Sequence, residues 1–345
     1  MNPTPSPGPR SDADFDLHTD YLGLELASPV VASSSPLGRD MDSLRDLEAA
    51  GAGAVVLPSL YEEEVEQDAQ TLQNLLHQGA DAFVEAATYI PEMDEYRTGP
   101  TPYLRHLEAA VEALAIPVIG SLNGITPGGW TEYAAMMGDS GAAAIEVNPY
   151  LVAADPTVTP DEVERRLIDL VSQVCAAVEV PVAVKLSPWW SALANLAGLL
   201  VEAGASGLVL FNRFVQPDID LDNLSVVDDV NLSSPAEILL PMRWTALLRD
   251  QVDCSIALSG GVHDGDAAAK AVLVGADVAM STSALLRHGP GFASVIRDGL
   301  ARRLTNHGYE SIRQARGAMS AGNVPDPEAF ERAWYRHALT TYTDD

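Results

Sequence analysis

Residues 255–283, SIALSGGVHDGDAAAKAVLVGADVAMSTS, contain one complete repeat of the pattern that decides the fold. An apolar run is followed by a Gly-Gly pair, a helix-forming segment, a Gly-Ala step and a second apolar run. Continuous apolar runs joined by a helical crossover are typical of parallel strands that helices cover on the outside. This stretch therefore predicts a strand, helix and strand in succession.

The same alternation recurs along the whole chain. Eight short apolar runs lie at residues 30–33, 54–57, 117–122, 143–148, 181–186, 207–212, 255–261 and 277–282. Helical patterns lie at residues 42–50, 103–113, 130–140, 160–178, 192–203, 235–251, 264–274 and 290–307. The alternation predicts an α/β fold, and eight units favour a closed (β/α)8 TIM barrel over an open, doubly wound sheet.

Two long connections and an N-terminal segment fall outside this repeat. Residues 61–102, after the second strand, begin with an acidic helical stretch, and residues 213–234, after the sixth strand, indicate a small hairpin. Both follow strand C-termini, so we expect loop insertions on the face where barrels build their active sites. The pattern DLHTDYLGLEL at residues 16–26 predicts an N-terminal hairpin that closes the opposite end of the barrel.

The two ends of the chain differ from the middle in composition. Residues 1–16 are rich in Pro and Ser and lack the apolar core of a signal peptide, so they predict a disordered tail. Residues 325–340 form an amphipathic helical pattern. Since one barrel can accommodate a chain of 345 residues, we expect a single domain over residues 17–345 that ends in this helix.

Charge and hydropathy exclude several classes of protein. Forty-nine acidic residues against 20 Lys and Arg give a net charge of -29, which repels nucleic acid and anionic lipid. No apolar run approaches the roughly 20 residues that span a membrane. The two cysteines, Cys175 and Cys254, form neither a disulfide framework nor a metal-binding spacing. We therefore expect a cytoplasmic protein that binds a small molecule and neither nucleic acid nor membrane.

Polar residues at the ends of apolar strands are the candidate site, because the wall of a barrel does not need them for packing. Lys185 ends an apolar strand, where a buried ammonium requires an anionic partner or a lowered pKa. Asn148 and Asn212 end two other strands, and their amide groups can donate and accept hydrogen bonds to a flat heterocycle. Helix capping is the alternative role for the strand-end serines.

The last two strands predict an anion site. Gly260 and Gly261, which follow Ser259, allow backbone N–H groups to approach an anion without an intervening Cβ. Thr282 and Ser283 follow the eighth strand and open a short helical stretch. In barrels the loops after strands seven and eight commonly hold a phosphate group. Because the chain has only two lysines, backbone N–H groups are expected to do most of this binding.

Taken together, these residues resemble the class 1 dihydroorotate dehydrogenases, which are FMN-dependent barrels of pyrimidine biosynthesis. The resemblance covers residues 21–319 and rests on the motifs YLGLELASPVVASSSP, IEVNP, VKLSP, ALSGGVHDGDAAAKAVLVGADVAMSTSAL and YESIRQARGAM. It implies an FMN site built from Ala32, Ser33, Ser59, Asn148, Lys185, Ser259, Gly260, Gly261, Thr282 and Ser283. We expect Lys185, Asn148 and Asn212 to act in catalysis and Asn123 and Arg213 to contact the substrate.

Three features depart from the pattern of that family. The catalytic Cys or Ser that follows the strand-four Asn is absent from NPYLVAADP, and Tyr150, with an ordinary pKa near 10, is a poor replacement. Pro58 stands in the stretch VLPSLYEE, where the family has a lysine. The Asn-rich substrate loop is not recognisable in residues 85–104. The cofactor site therefore matches the family better than the substrate site does.

Three functions are compatible with these observations. The first is an FMN-dependent oxidoreductase that acts on dihydroorotate or another small ring compound. The second is an aldolase-type barrel in which Lys185 forms a Schiff base. The third is a flavin-binding electron-transfer partner without substrate turnover of its own. The resemblance is also compatible with a homodimer or with a separate redox partner protein.

Overall fold

The computed structural model describes residues 15–63, 100–124, 130–227 and 231–326, together with residues 330, 335, 339 and 340. Most of the predicted tail, the body of the first insertion and most of the predicted C-terminal helix lie outside the described residues. Asp16 is described, and its backbone forms hydrogen bonds with Glu310 and Ile312. Backbone contacts with the barrel domain are therefore present at residue 16, within the predicted tail.

Eight parallel strands form a closed barrel. They are β1 (Val30–Ala32), β2 (Ala54–Val56), β3 (Val118–Asn123), β4 (Ala144–Asn148), β5 (Val182–Leu186), β6 (Gly207–Leu210), β7 (Ser255–Ser259) and β8 (Val278–Ser281). Each strand pairs in parallel with the next, and β8 pairs with β1 to close the ring. The predicted (β/α)8 TIM barrel is confirmed.

Helices follow the strands in the predicted order. They are α1 (Met41–Ala49), α2 (Pro100–Ala113), α3 (Trp130–Asp139), α4 (Pro160–Ala177), α5 (Leu193–Glu202), α6 (Leu239–Leu248), α7 (Gly265–Val274), α8 (Ser283–His288), α9 (Phe292–Asn306) and α10 (Ile312–Ala315). The start of α7 is fixed by Asp264, whose side chain accepts a hydrogen bond from the N–H of Ala267. Its end is fixed by Gly275, whose φ of 115° supplies the left-handed turn that leads into β8.

The N-terminal hairpin closes the bottom of the barrel, as the sequence predicts. Its strands Thr19–Tyr21 and Leu24–Leu26 pair antiparallel, and the ring of Tyr21 is buried among inward-facing side chains of the barrel strands. Many of those side chains are small, which leaves room for the ring; they include Ala54, Ala144, Ala183 and Ala257. The C-terminal ends of the strands therefore form the accessible end of the barrel.

Short strands mark both insertions on that C-terminal face. After β2, the segment Leu60–Tyr61 pairs with the end of β3. After β6, Asp218–Asp220 and Ser225–Val227 pair antiparallel, which confirms the predicted hairpin. Within the described residues, the helices are too short or too polar to cross a membrane.

Candidate functional site

A cavity of about 1020 Å³ opens at the C-terminal ends of the strands. This volume lies at the upper end of the range of about 300–1,000 Å³ that is usual for ligand pockets. Most of the predicted site residues line it, namely Ser33, Asn123, Asn148, Lys185, Asn212, Arg213, Ser259, Gly260, Gly261, Thr282 and Ser283. The barrel thus brings residues from its first to its eighth strand to one site.

Two of the predicted cofactor residues are absent from this lining. Ala32, which immediately precedes Ser33 in the sequence, is buried. The hydroxyl of Ser59 is hydrogen-bonded to the hydroxyl of Ser121, at 2.8 Å, and Ser121 is fully buried. A direct contact of Ala32 or Ser59 with a ligand stays a prediction.

Lys185 is buried at the end of β5 and forms a salt bridge. Its Nζ atom lies 3.1 Å from Oε1 of Glu146 and 3.3 Å from Oγ of Ser33. The other oxygen of Glu146, Oε2, has no hydrogen-bond partner among the described residues. Of the two possibilities that the sequence leaves for Lys185, the structure shows the anionic partner, which the sequence does not identify. The available signal is a lone carboxylate inside the apolar strand AIEVN, two positions before Asn148 and so on the same face of β4.

Asn148 and Asn212 form an amide pair at the ends of β4 and β6. Nδ2 of Asn212 donates a hydrogen bond of 2.8 Å to Oδ1 of Asn148. This bond leaves the carbonyl oxygen and one N–H of Asn212, and both N–H groups of Asn148, for other partners. The pair can therefore offer both donors and an acceptor to a ligand in the cavity.

Three of the aromatic residues that line the cavity, Tyr150, Trp189 and Phe214, are in contact with one another. The rings of Tyr150 and Phe214 are stacked, with centroids 6.3 Å apart, and Trp189 meets Phe214 edge-on at 6.2 Å. The hydroxyl of Tyr150 accepts a hydrogen bond from the N–H of Val215, which joins the loops after β4 and β6. The sequence alone does not single out Trp189 or Phe214, although both follow strand ends closely.

The two glycines after β7 have different structural roles. Both have positive φ angles, 102° for Gly260 and 74° for Gly261. A Cβ atom on Gly261 would lie 2.2 Å from the backbone nitrogen of Ile238, so the packing of the chain requires glycine there. A Cβ atom on Gly260 would meet no protein atom within 4 Å. The absence of a side chain at Gly260 therefore leaves space at the cavity and is not required by packing within the protein.

Ser233 lines the same cavity and is hydrogen-bonded to Ser283, the first residue of α8. The N–H of Ser233 donates to Oγ of Ser283, at 2.9 Å, and its hydroxyl is 2.9 Å from Nε2 of His263. Burial, together with the nearby cation of Arg287, lowers the pKa of His263. Since the hydroxyl of Ser283 accepts one hydrogen bond, its own hydrogen remains able to donate to an anion in the cavity.

Carboxylates neutralise the cations of the cavity. Among the described lining residues, the Lys and Arg side chains are those of Lys185 and Arg213. Lys185 is paired with Glu146, and Nη1 of Arg213 lies 2.9 Å from Oε2 of Glu237. Glu63 adds a further carboxylate to the lining. The described lining therefore carries no excess of positive charge.

Comparison with known proteins places this geometry in context. No family model matches the chain. A similar curated protein from Aeropyrum pernix, named putative dihydroorotate dehydrogenase A (fumarate), is 27% identical over 88% of this chain and 97% of the relative. Two others are each named dihydroorotate dehydrogenase B (NAD(+)), catalytic subunit. The one from Methanothermobacter thermautotrophicus is 26% identical over 88% of this chain and 98% of the relative. The one from Thermoplasma volcanium is 25% identical over 88% of this chain and 98% of the relative. The resemblance to dihydroorotate dehydrogenases that the motifs predict is confirmed.

Proposed function

We propose that this protein is an FMN-dependent oxidoreductase that removes hydride from a small ring compound, as the dihydroorotate dehydrogenases that it resembles do. One observation carries the proposal. A single cavity joins a glycine-lined end at Gly260 and Gly261 to an end that holds a buried lysine and an amide pair. A phosphate group and a flat heterocycle need these two kinds of surface.

The glycine-lined end fits the phosphate of FMN. Gly260 leaves open space where any other residue would place a Cβ. Thr282 and Ser283 line the same cavity, and the hydroxyl of Ser283 has a hydrogen left to donate. These groups would hold the phosphate mainly through backbone N–H groups and hydroxyls, as expected for a chain with a net charge of -29.

The lysine end fits the ring system of FMN. An ammonium group has three donors, and the described partners of Lys185, Glu146 and Ser33, accept two of them. The third donor can be given to an acceptor atom of a bound ring. When bound, FMN supplies the hydride acceptor, and a cation near its pyrimidine edge stabilises the negative charge of the reduced form.

Dihydroorotate is the substrate that the names of the relatives indicate, and its oxidation to orotate is the first reaction to test. Asn123, Asn148 and Asn212 line the cavity and are proposed to contact the ring. Two of the relatives are named as catalytic subunits, which implies that those two proteins act together with another subunit. A redox partner for this chain is part of the proposal.

The salt bridge between Lys185 and Glu146 disfavours the alternative in which Lys185 forms a Schiff base. A Schiff-base lysine attacks a carbonyl as an uncharged amine. The nitrogen of Lys185 is instead held by the Glu146 carboxylate and the Ser33 hydroxyl. The comparisons likewise favour an enzyme with its own turnover over a passive electron-transfer protein.

Anaerobic reduction tests the proposed activity. The FMN-loaded protein is titrated with dihydroorotate and with other reduced ring compounds, and the visible flavin absorbance is followed. Stoichiometric bleaching by at least one of them, with slower bleaching in Lys185→Met, is the expected result. A protein that takes up no FMN contradicts the proposal.

A further inference from the structure

The loops after β4 and β6 carry the same short pattern, an asparagine followed two residues later by an aromatic residue. The first loop has Asn148 and Tyr150, and the second has Asn212 and Phe214. The two asparagines are hydrogen-bonded at 2.8 Å, and the two aromatic rings are stacked at 6.3 Å. Together the loops form one wall of the cavity, which we call the amide–aromatic wall, with a polar part and an aromatic part.

The polar part of this wall matches an uncharged ring amide. After their mutual hydrogen bond, Asn148 and Asn212 still offer N–H donors and one carbonyl acceptor. A lactam or imide presents a C=O and an N–H side by side on one ring edge. Each group of such an edge can therefore find a partner, and no net charge is required on either side.

The aromatic part of the wall is left uncovered by the described chain. Trp189 is 65% exposed and Phe214 is 37% exposed, although both line the cavity. Flat apolar surfaces of this kind favour stacking against another flat ring. A ligand that extends beyond a single small ring would cover them.

The charges around the wall disfavour an anionic ring. Lys185 and Arg213 each already have a carboxylate partner, so neither offers an uncompensated positive charge to a carboxylate on the ligand. Glu63 adds a further carboxylate to the described lining of the cavity. A carboxylate on the ligand would be repelled by this residue, which reduces its affinity.

We propose that the amide–aromatic wall selects an uncharged lactam or imide ring with an extended flat apolar face, and discriminates against rings that carry a carboxylate. The inference rests on the proposed function, which assigns the Gly260 end of the cavity and Lys185 to FMN, and Asn148 and Asn212 to the substrate. It replaces dihydroorotate, an anion, by a neutral ring as the preferred class of substrate.

Matched ligand pairs test this preference. Uracil and orotate differ by one carboxylate, as do 2-quinolone and 2-quinolone-4-carboxylate. Each is titrated calorimetrically into the FMN-supplemented protein. The neutral member of each pair is expected to bind at least about tenfold more tightly, a difference of about 1.4 kcal/mol, and 2-quinolone more tightly than uracil. Equal or tighter binding of the carboxylates, or no binding of any member at millimolar concentration, overturns the proposal.

Two variants separate the aromatic and the electrostatic contributions. Phe214→Ala should weaken 2-quinolone about tenfold and uracil much less, whereas Val295→Ala, an exposed apolar position on α9, should change neither. Glu237→Gln removes the salt bridge with Arg213. The Gln side chain keeps an oxygen that can accept the hydrogen bond from the N–H of Ser234, which lies 2.7 Å from Oε1 of Glu237 in the unsubstituted protein. The substitution should tighten orotate binding severalfold and leave uracil unchanged. Unchanged orotate binding in a folded Glu237→Gln protein overturns the electrostatic argument.

The two proposals fail in distinguishable ways. Uptake of FMN is read from the visible absorbance of the same samples, independently of the calorimetric ratios. A protein that stays colourless contradicts the proposed function, whatever the ratios. A yellow protein that prefers the carboxylate ligands contradicts only the substrate class.

Discussion

The ammonium of Lys185 lies 3.1 Å from Oε1 of Glu146, and their side chains are only 7% and 1% exposed. The two residues are on adjacent strands, β5 and β4, at the mouth of the barrel. A buried ion pair contributes little net stability, but each charge is strongly unfavourable without the other. The pair therefore affects both the stability of the barrel and the charge that a bound ligand meets.

Removal of Lys185 alone should destabilise the fold. In Lys185→Met the carboxylate of Glu146 loses its counter-charge inside the barrel, so we expect the free energy of unfolding to fall by about 3–5 kcal/mol. The double variant with Glu146→Leu should recover most of this loss. Urea unfolding measures both. Arg45→Ala, which breaks an exposed pair with Asp42, serves as the control and should cost less than about 1 kcal/mol. A double variant no more stable than Lys185→Met would refute the coupling.

Glu146 should also set the reduction potential of the bound flavin. Glu146→Gln removes a buried negative charge and leaves the ammonium of Lys185 free to stabilise the reduced cofactor. We expect the midpoint potential to rise by tens of millivolts, since about 30 mV corresponds to 1.4 kcal/mol for a two-electron couple. Lys185→Met should lower it. Dye-linked titration measures the potential, and an unchanged or lower value in Glu146→Gln would show that the carboxylate has no such role.

The sequence predicts the barrel well because each unit carries its own local signals. The strand VAMS, for example, follows a helix that ends at Gly275, and both are identifiable from a few neighbouring residues. The salt bridge between Glu146 and Lys185, in contrast, has no local signal in the sequence. Glu146 and Lys185 are 39 positions apart, and only the register that pairs Glu146 with Ala183 brings them together. No local pattern contains that information.

The lack of a local sequence pattern also explains which contacts of the site cannot be predicted from the sequence. Strand-end residues such as Asn148 and Asn212 can be predicted individually, because a polar residue after an apolar run stands out. Their mutual hydrogen bond and the stacking of Tyr150 on Phe214 join loops that are about 60 residues apart along the chain. These contacts depend on barrel closure, in which β5 separates β4 from β6.

Alanine at the two glycines after β7 should have contrasting effects. Gly261→Ala places a Cβ against the backbone of Ile238 and should destabilise the protein by more than about 1 kcal/mol. Gly260→Ala meets no protein atom, so strain at its φ of 102° is the main cost to folding, while its methyl group occupies space at the cavity. We expect it to weaken FMN binding at least about tenfold. Thermal unfolding and FMN titration separate the two effects. FMN affinity unaltered in a folded Gly260→Ala protein would argue against the phosphate site.

Both cysteines should be unreactive in the folded protein. Burial raises the pKa of the Cys175 thiol to about 11 and that of Cys254 to about 12. Because the thiolate is the reactive form, alkylation of each cysteine by iodoacetamide at pH 8 should be at least about 100-fold slower than for a free thiol, and should accelerate as the pH rises towards 11. The urea-unfolded protein, labelled at the ordinary rate, is the control. Rapid labelling of both cysteines in the native protein at pH 8 would contradict this prediction.

FMN is the proposed occupant of the cavity, with its phosphate at the glycine-lined end. The most direct measurement is a titration of the apoprotein with FMN and, separately, with riboflavin, which lacks the phosphate, followed by quenching of flavin fluorescence. We predict one FMN per chain and an affinity for FMN at least about tenfold above that for riboflavin. An absence of saturable FMN binding would contradict the proposed cofactor, and equal affinity for the two flavins would contradict the proposed phosphate site.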